Sequence, residues 1–161
     1  NTKLGWAQLT ATGGHPGNDR QHAVVRRWIA PADGSYTVTS KLIHEPKISD
    51  GIRAFVSHSR TGKLRSIELL GAEADVSFDA LDLKAGDALD FIVDINGQLN
   101  SDQFLWAPHI SMAGSTGSGG EISGSDWDAK KDFAALPRTP LTAWEQLVQV
   151  LMLSNEFLFI D

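Results

Sequence analysis

From His22 to about residue 110 the apolar residues recur at every second position, and short apolar runs are separated by Gly, Asp and Pro. A period of two sends successive side chains to opposite faces of an extended strand, whereas a helix needs a period near 3.6. The pattern predicts strands at His22–Ile29, Tyr36–His44, Ile52–Ser59, Arg65–Leu70, Ala74–Phe78, Ala88–Asp94 and Phe104–Ile110. The intervening chemistry suits chain reversal. Pro31-Ala32-Asp33-Gly34 and Ser49-Asp50-Gly51 are turns entering strands, Thr61-Gly62 fits a tight hairpin, and Ala85-Gly86-Asp87 turns the chain before another strand. Many short strands joined by such turns imply an all-β, antiparallel β-sandwich.

Composition narrows what such a sandwich does. With 161 residues and 42% hydrophobic content the chain has material for one ordinary core. Its net charge is −6 and its 14 Lys and Arg are scattered, so no nucleic-acid surface is expected. No apolar run is long enough for a membrane span, and no charged-then-apolar leader is present. The chain opens at Asn1 without Met and is expected to be a fragment or a processed chain. The absence of cysteine excludes thiolate zinc sites, iron–sulfur clusters, covalently attached haem and cysteine catalysis in these residues.

The organisation expected is a β-sandwich module over 1–111, a flexible Gly/Ser linker over 112–126, and a C-terminal helical segment over 127–161. Thr142-Ala143-Trp144-Glu145 has the spacing of a capping box, which predicts a helix from about Ala143 to Ser154. Its apolar residues cover more than one stripe. Such a helix packs on the sandwich, self-associates, or belongs against another part of a parent protein.

Several segments carry a resemblance. Leu4-Gly5-Trp6, the loop Gly13 to Asp19, Arg26-Arg27-Trp28, Asp50-Gly51-Ile52-Arg53, Asp90 to Asp94, Asn100 to Pro108 and the closing Leu141 to Asp161 resemble a module at the C-terminus of large planctomycete extracytoplasmic cytochrome-c-type proteins. The resemblance covers nearly all of the chain except the Gly/Ser stretch. It implies an extracytoplasmic setting, periplasmic or at the cell surface, and contacts with the remaining domains of a parent protein. No Cys-x-x-Cys-His is present, so the family's haem chemistry does not extend to these residues. The module is also similar in pattern to jelly-roll, galactose-binding-like carbohydrate-binding modules, which implies a polysaccharide or oligosaccharide ligand.

Alternation sorts the candidate site residues. Ile52, Ala54, Val56 and His58 share one phase and Arg53, Phe55 and Ser57 the other, while Leu89, Phe91 and Val93 oppose Asp90, Ile92 and Asp94. The aliphatic phases are expected in the core. Arg53 is expected to face Asp90 or Asp94 on a polar sheet surface that Thr37, Thr39 and Lys41 extend. Planar Arg and carboxylate groups suit sugar hydroxyls, and an aromatic ring suits the apolar face of a pyranose. The alternative is a solvated face with a surface ion pair. His44 and His58 end strands on the core-side phase and would meet at one rim, with Arg60 beyond. The glycine-rich loop carries His15 and Asp19, and Trp6, Trp28 and Trp106 are possible sugar platforms or core residues. The ligand-binding residues expected are therefore His15, Asp19, Arg26, His44, Arg53, His58, Arg60, Asp94 and Trp106. Asp19 and Asp102 offer hard oxygens for calcium, although no twelve-residue calcium loop is present. No catalytic motif or marked carboxylate pair appears, and a non-enzyme is expected.

Overall fold

The computed structural model describes residues 4–112 and 126–133, and these contain thirteen strands and no helix. In chain order they are β1 (Gln8–Leu9), β2 (Gly13–His15), β3 (Val24–Ile29), β4 (Gly34–Thr39), β5 (Lys41–His44), β6 (Ile52–His58) and β7 (Gly62–Leu69). There follow β8 (Ala72–Asp75), β9 (Phe78–Leu83), β10 (Ala88–Ile95), β11 (Phe104–Trp106), β12 (His109–Met112) and β13 (Asp126–Asp128). Every pairing is antiparallel. They make three sheets, ordered β3-β10-β6-β7, β1-β2-β11-β5-β8 and β13-β12-β4-β9.

The last two sheets are halves of one bent layer. β4 passes into β5 at Ser40, β9 follows β8 after Val76-Ser77, and β12 follows β11 after Ala107-Pro108, so the order β11-β5-β8 is repeated as β12-β4-β9. Pro108 has no N–H to extend a ladder. Side chains and backbone stitch the seam instead: Val76 N donates to Ser40 O at 2.9 Å, Ser40 Oγ donates to Val76 O at 2.9 Å, and Trp106 Nε1 donates to Ser40 Oγ at 3.1 Å. Tyr36, Val38, Ser40, Leu42 and His44 are all buried, so alternation runs through the bend without a change of phase.

This layer closes over the four-stranded sheet in a β-sandwich-like arrangement. Val24 and Trp28 of β3, Ile52, Ala54 and Val56 of β6, and Leu89, Phe91 and Val93 of β10 meet Tyr36, Leu42, Phe104, Trp106 and Ile110 in one core. The expected inward phases of β6 and β10 are the observed ones. Trp106 meets Phe91 edge-on at 5.3 Å between ring centroids, and Trp28 meets both Tyr36 and Trp127 at 5.3 Å.

Trp127 belongs to β13, which pairs with β12 through Ile110, and Ala129 N donates to Pro108 O at 2.9 Å. The segment expected over 127–161 thus starts with a strand against the sandwich. The stretch expected as a linker has Met112 at the end of β12 and Asp126 at the start of β13; its interior, 113–125, and the helix expected from Ala143 to Ser154 lie outside the described residues. Among the described residues no helix is long and apolar enough to cross a membrane.

Candidate functional site

The expected meeting of His44 and His58 does not occur. Leu69 pairs with Ile52 at the start of β6, whereas Gly62 pairs with His58 at its end. His44 is bonded to Gly71, just beyond Leu69. The two histidines therefore occupy opposite ends of the sandwich, separated by about 20 Å of strand. Both end a strand on the inward phase, but strands in different layers do not share an end merely because their residues share a phase.

At the Gly71 end, His44 is a fully buried structural residue. Gly71 N donates to its Nδ1 at 3.2 Å and its Nε2 lies 3.0 Å from Ser101 O. A backbone N–H can only donate and a carbonyl can only accept, which fixes the tautomer with the proton on Nε2. Asp102 lies nearby, completely buried, with Oδ2 accepting from Asn100 N at 3.1 Å. Among the described residues its Oδ1 has no hydrogen-bond partner. Burial pushes the Asp102 carboxyl up, while the Asn100 N–H and the fields of His15 and His44 oppose that shift and Asp50 adds to it. His15 has Nδ1 2.8 Å from Pro16 O, and its ring faces Trp6 at 6.3 Å. Trp6 is 68% exposed, the most open aromatic platform of those expected.

At the opposite end Asp87 is a hub. Arg60 Nη2 donates to Asp87 Oδ2 at 2.8 Å, Lys84 N donates to the same oxygen at 2.8 Å, and His58 Nε2 stands 3.0 Å from it. The His58 contact is close but poorly aligned as a hydrogen bond. The Arg60 guanidinium first, then the Lys84 N–H, hold the Asp87 carboxyl well below the usual carboxylate range. His58 Nδ1 lies 2.8 Å from Thr61 Oγ1. His58 and Arg60 are thus brought together, through Asp87, as the lock of the β6–β7 turn onto β10. An open recess beside them is lined by Asp33, Ser35, Arg60, Asp82 and Lys84.

The outward face of the four-stranded sheet carries the most ordered chemistry. Ile92 is paired with Val25 on one side and Phe55 on the other, so these side chains form one apolar row across three strands. Arg53 and Asp94 are directly opposite each other, as are Arg27 and Asp90, one pair on either side of the row. Arg53 Nε and Nη2 donate to Asp94 Oδ1 and Oδ2 at 2.9 and 2.5 Å. Arg27 does the same to Asp90 at 2.7 and 2.8 Å. Arg53 Cζ lies 5.3 Å from the Phe55 ring centroid, and Lys63 Nζ lies 5.8 Å from it. The expected pairing of Arg53 is realised with Asp94. Thr37, Thr39 and Lys41 do not extend this face, because β4 and β5 belong to the other layer.

One expectation needs correction. Trp106, expected as a ligand-binding residue, is 2% exposed with its Nε1 committed to Ser40. A ring closed on both faces by core neighbours has no surface to offer a sugar, and the same holds for Trp28. Asp19 lies in a turn where its Oδ1 accepts from Gln21 N at 2.8 Å and approaches His22 Nδ1 at 2.8 Å, and the His22 contact leads in lowering its carboxyl. Among the described residues, neither Asp19 nor Asp102 belongs to a group of three or more His, Asp or Glu placed to hold a metal ion.

Arg26, by contrast, is buried at the edge of the sheet, with Nη2 donating to Thr10 O at 2.6 Å. The part of the outward face that sequence missed is its second fork, Arg27–Asp90, and its apolar row. In the sequence Arg27 stands out only as part of a motif, and register across β3, β10 and β6 is what brings these residues side by side. Compared with models of protein families and with curated proteins, the chain matches none.

Proposed function

We propose that this chain is a non-catalytic carbohydrate-binding module that lays a polysaccharide along the outward face of the β3-β10-β6-β7 sheet. In this reading the sandwich is of jelly-roll type and serves a larger extracytoplasmic cytochrome-type protein by keeping it near its substrate. The observation that carries the reading is the apolar row Val25–Ile92–Phe55 set between two bidentate Arg–Asp forks. A pyranose has an apolar face of C–H groups and a rim of hydroxyls. The row suits the first, and the carboxylate oxygens and guanidinium N–H groups at its sides suit the second. Within each fork the arginine and aspartate hold one another in place, so few rotamers remain to be frozen on binding.

Affinity electrophoresis against neutral, acidic and sulfated polysaccharides, with and without calcium, tests this. The comparison is wild type against the double variant Arg53→Gln, Asp94→Asn, which replaces the charged fork by a neutral amide pair of similar shape. Retardation of the wild type that weakens at least about tenfold in a folded double variant is the expected result. A polysaccharide held equally by both proteins removes this face from the reading.

A second reading is favoured by one observation: Val25 and Ile29, at the edge of the face, are 44% and 56% exposed. Exposed aliphatic residues along a sheet edge also suit a protein surface. If no polysaccharide is retained by the wild type, the module is a structural or interaction domain of its parent.

A further inference from the structure

Arg26 sits on the inward phase of β3 between Val24 and Trp28 and is only 8% exposed. Its Nη2 donates to Thr10 O at 2.6 Å and its Nη1 to Ala129 O at 3.3 Å. Among the described residues no carboxylate touches it. This distinguishes Arg26 from Arg27, Arg53 and Arg60, each of which holds an aspartate. Burial pushes the Arg26 guanidinium down, yet an arginine stays charged under ordinary conditions. A buried charge faced only by carbonyl dipoles is incompletely compensated, and an anion placed beside it removes that cost.

The surroundings give such an anion a way in. Arg26 lines an open recess of about 310 Å³ together with Leu9, Val25, Arg27 and Phe133. Leu9 and Val25 are 41% and 44% exposed, so the recess presents apolar surface beside a guanidinium. Val25 and Arg27 belong both to this recess and to the outward face, because β3 is the edge strand of its sheet. A chain of sugars lying on that face and passing over its edge would bring one ring to Arg26.

We infer that this recess is the subsite for an acidic sugar, whose carboxylate is held by Arg26 while its ring rests on Leu9, Val25 and Phe133. A planar carboxylate matches the planar donor fork of a guanidinium better than a neutral hydroxyl does. The inference rests on the carbohydrate-binding reading and specifies the substrate class as uronic-acid polysaccharide.

The test is calorimetric titration of the full chain with three probes: an oligogalacturonate, the same oligomer with its carboxyl groups reduced to alcohols, and a sulfated oligosaccharide. The wild type is expected to bind the oligogalacturonate at least about tenfold more tightly than either other probe. Arg26→Met is expected to abolish that preference, so that the oligogalacturonate and the reduced oligomer bind the variant alike. If Arg26→Met does not fold, the wild type suffices. Lowering the pH through the uronate's own ionisation is then expected to weaken oligogalacturonate binding and to spare the reduced oligomer. Equal binding of the charged and reduced oligomers overturns the Arg26 subsite and leaves the carbohydrate reading standing. Preference for the sulfated probe overturns the assignment to a carboxylate. Binding of none of the three overturns both.

Discussion

Two buried aspartates at opposite ends of the sandwich differ in what their surroundings do to charge. Asp87 gathers donors from Arg60 and Lys84, and its carboxyl is held below the usual range. Its stabilising contribution is complete above the ordinary carboxylate pKa of about 3.9 and fades only as pH falls below that. Among the described residues Asp102 has one donor and one oxygen without a partner, and burial raises its carboxyl. Between the unfolded value and its raised folded value the folded molecule binds more protons than the unfolded chain. Stability therefore falls as pH rises through that window. Asp102→Asn is expected to flatten the decline, which urea unfolding of both proteins from about pH 4 to pH 7 measures. A variant that keeps the wild-type slope would show that Asp102 is not its source. None of this is legible in the sequence, where Asp102 is a loop acid with oxygen to offer a cation. The loop's path into the end of the core turns it inward, and burial is a tertiary property.

Among the elements, the strands of the four-stranded sheet are the most legible. β6 alternates strictly along its length, and β10 buries its Leu89, Phe91, Val93 and Ile95 phase, so pattern alone determines that these aliphatic and aromatic residues face in. The seam across the other layer is not legible, because Tyr36 to His44 alternates without interruption while the backbone turns at Ser40. Only the polarity of Ser40 at an inward position marks the bend. β9 hides another irregularity: its register against β4 shifts between Tyr36 and Val38, with Ala80 at φ 54° in the left-handed region that glycine favours. β13 lies where the sequence predicts a linker running into a helical segment. Its Trp127, however, packs on Trp28 and Tyr36, and the turn after it receives Arg26 through Ala129 O. Trp127→Ala is expected to cost about 2 kcal/mol, since the ring is partly rather than fully buried. Chemical denaturation measures this directly. A change near zero would mean that β13 adds no stability to the sandwich.

At the scale of the molecule, chemistry is divided among two ends and one face. The ends are occupied by internal locks: His44 and Asp102 at one, and His58, Asp87 and Arg60 at the other. That division explains why strand-end histidines are misleading signals of a binding rim. A buried polar side chain at a strand end must find partners, and those it finds in this fold are the neighbouring turns. The face on which Arg53 lies is legible because a residue's side of a strand follows from alternation. Its partner Asp94 is one of two open choices, settled by a register that sequence does not supply. The outward face remains, with an apolar row and two forks, of which Arg27–Asp90 is the more exposed while Asp94 is buried. The most direct measurement is an NMR titration of the labelled protein with an oligogalacturonate, following backbone amides across the whole chain. Binding on the outward face predicts saturable shifts along β3, β10 and β6 around Val25, Arg53, Phe55 and Ile92, with the turns at Gly71 and Thr61 unmoved. Saturable shifts confined to the Trp6 and His15 end, or none anywhere, would contradict it.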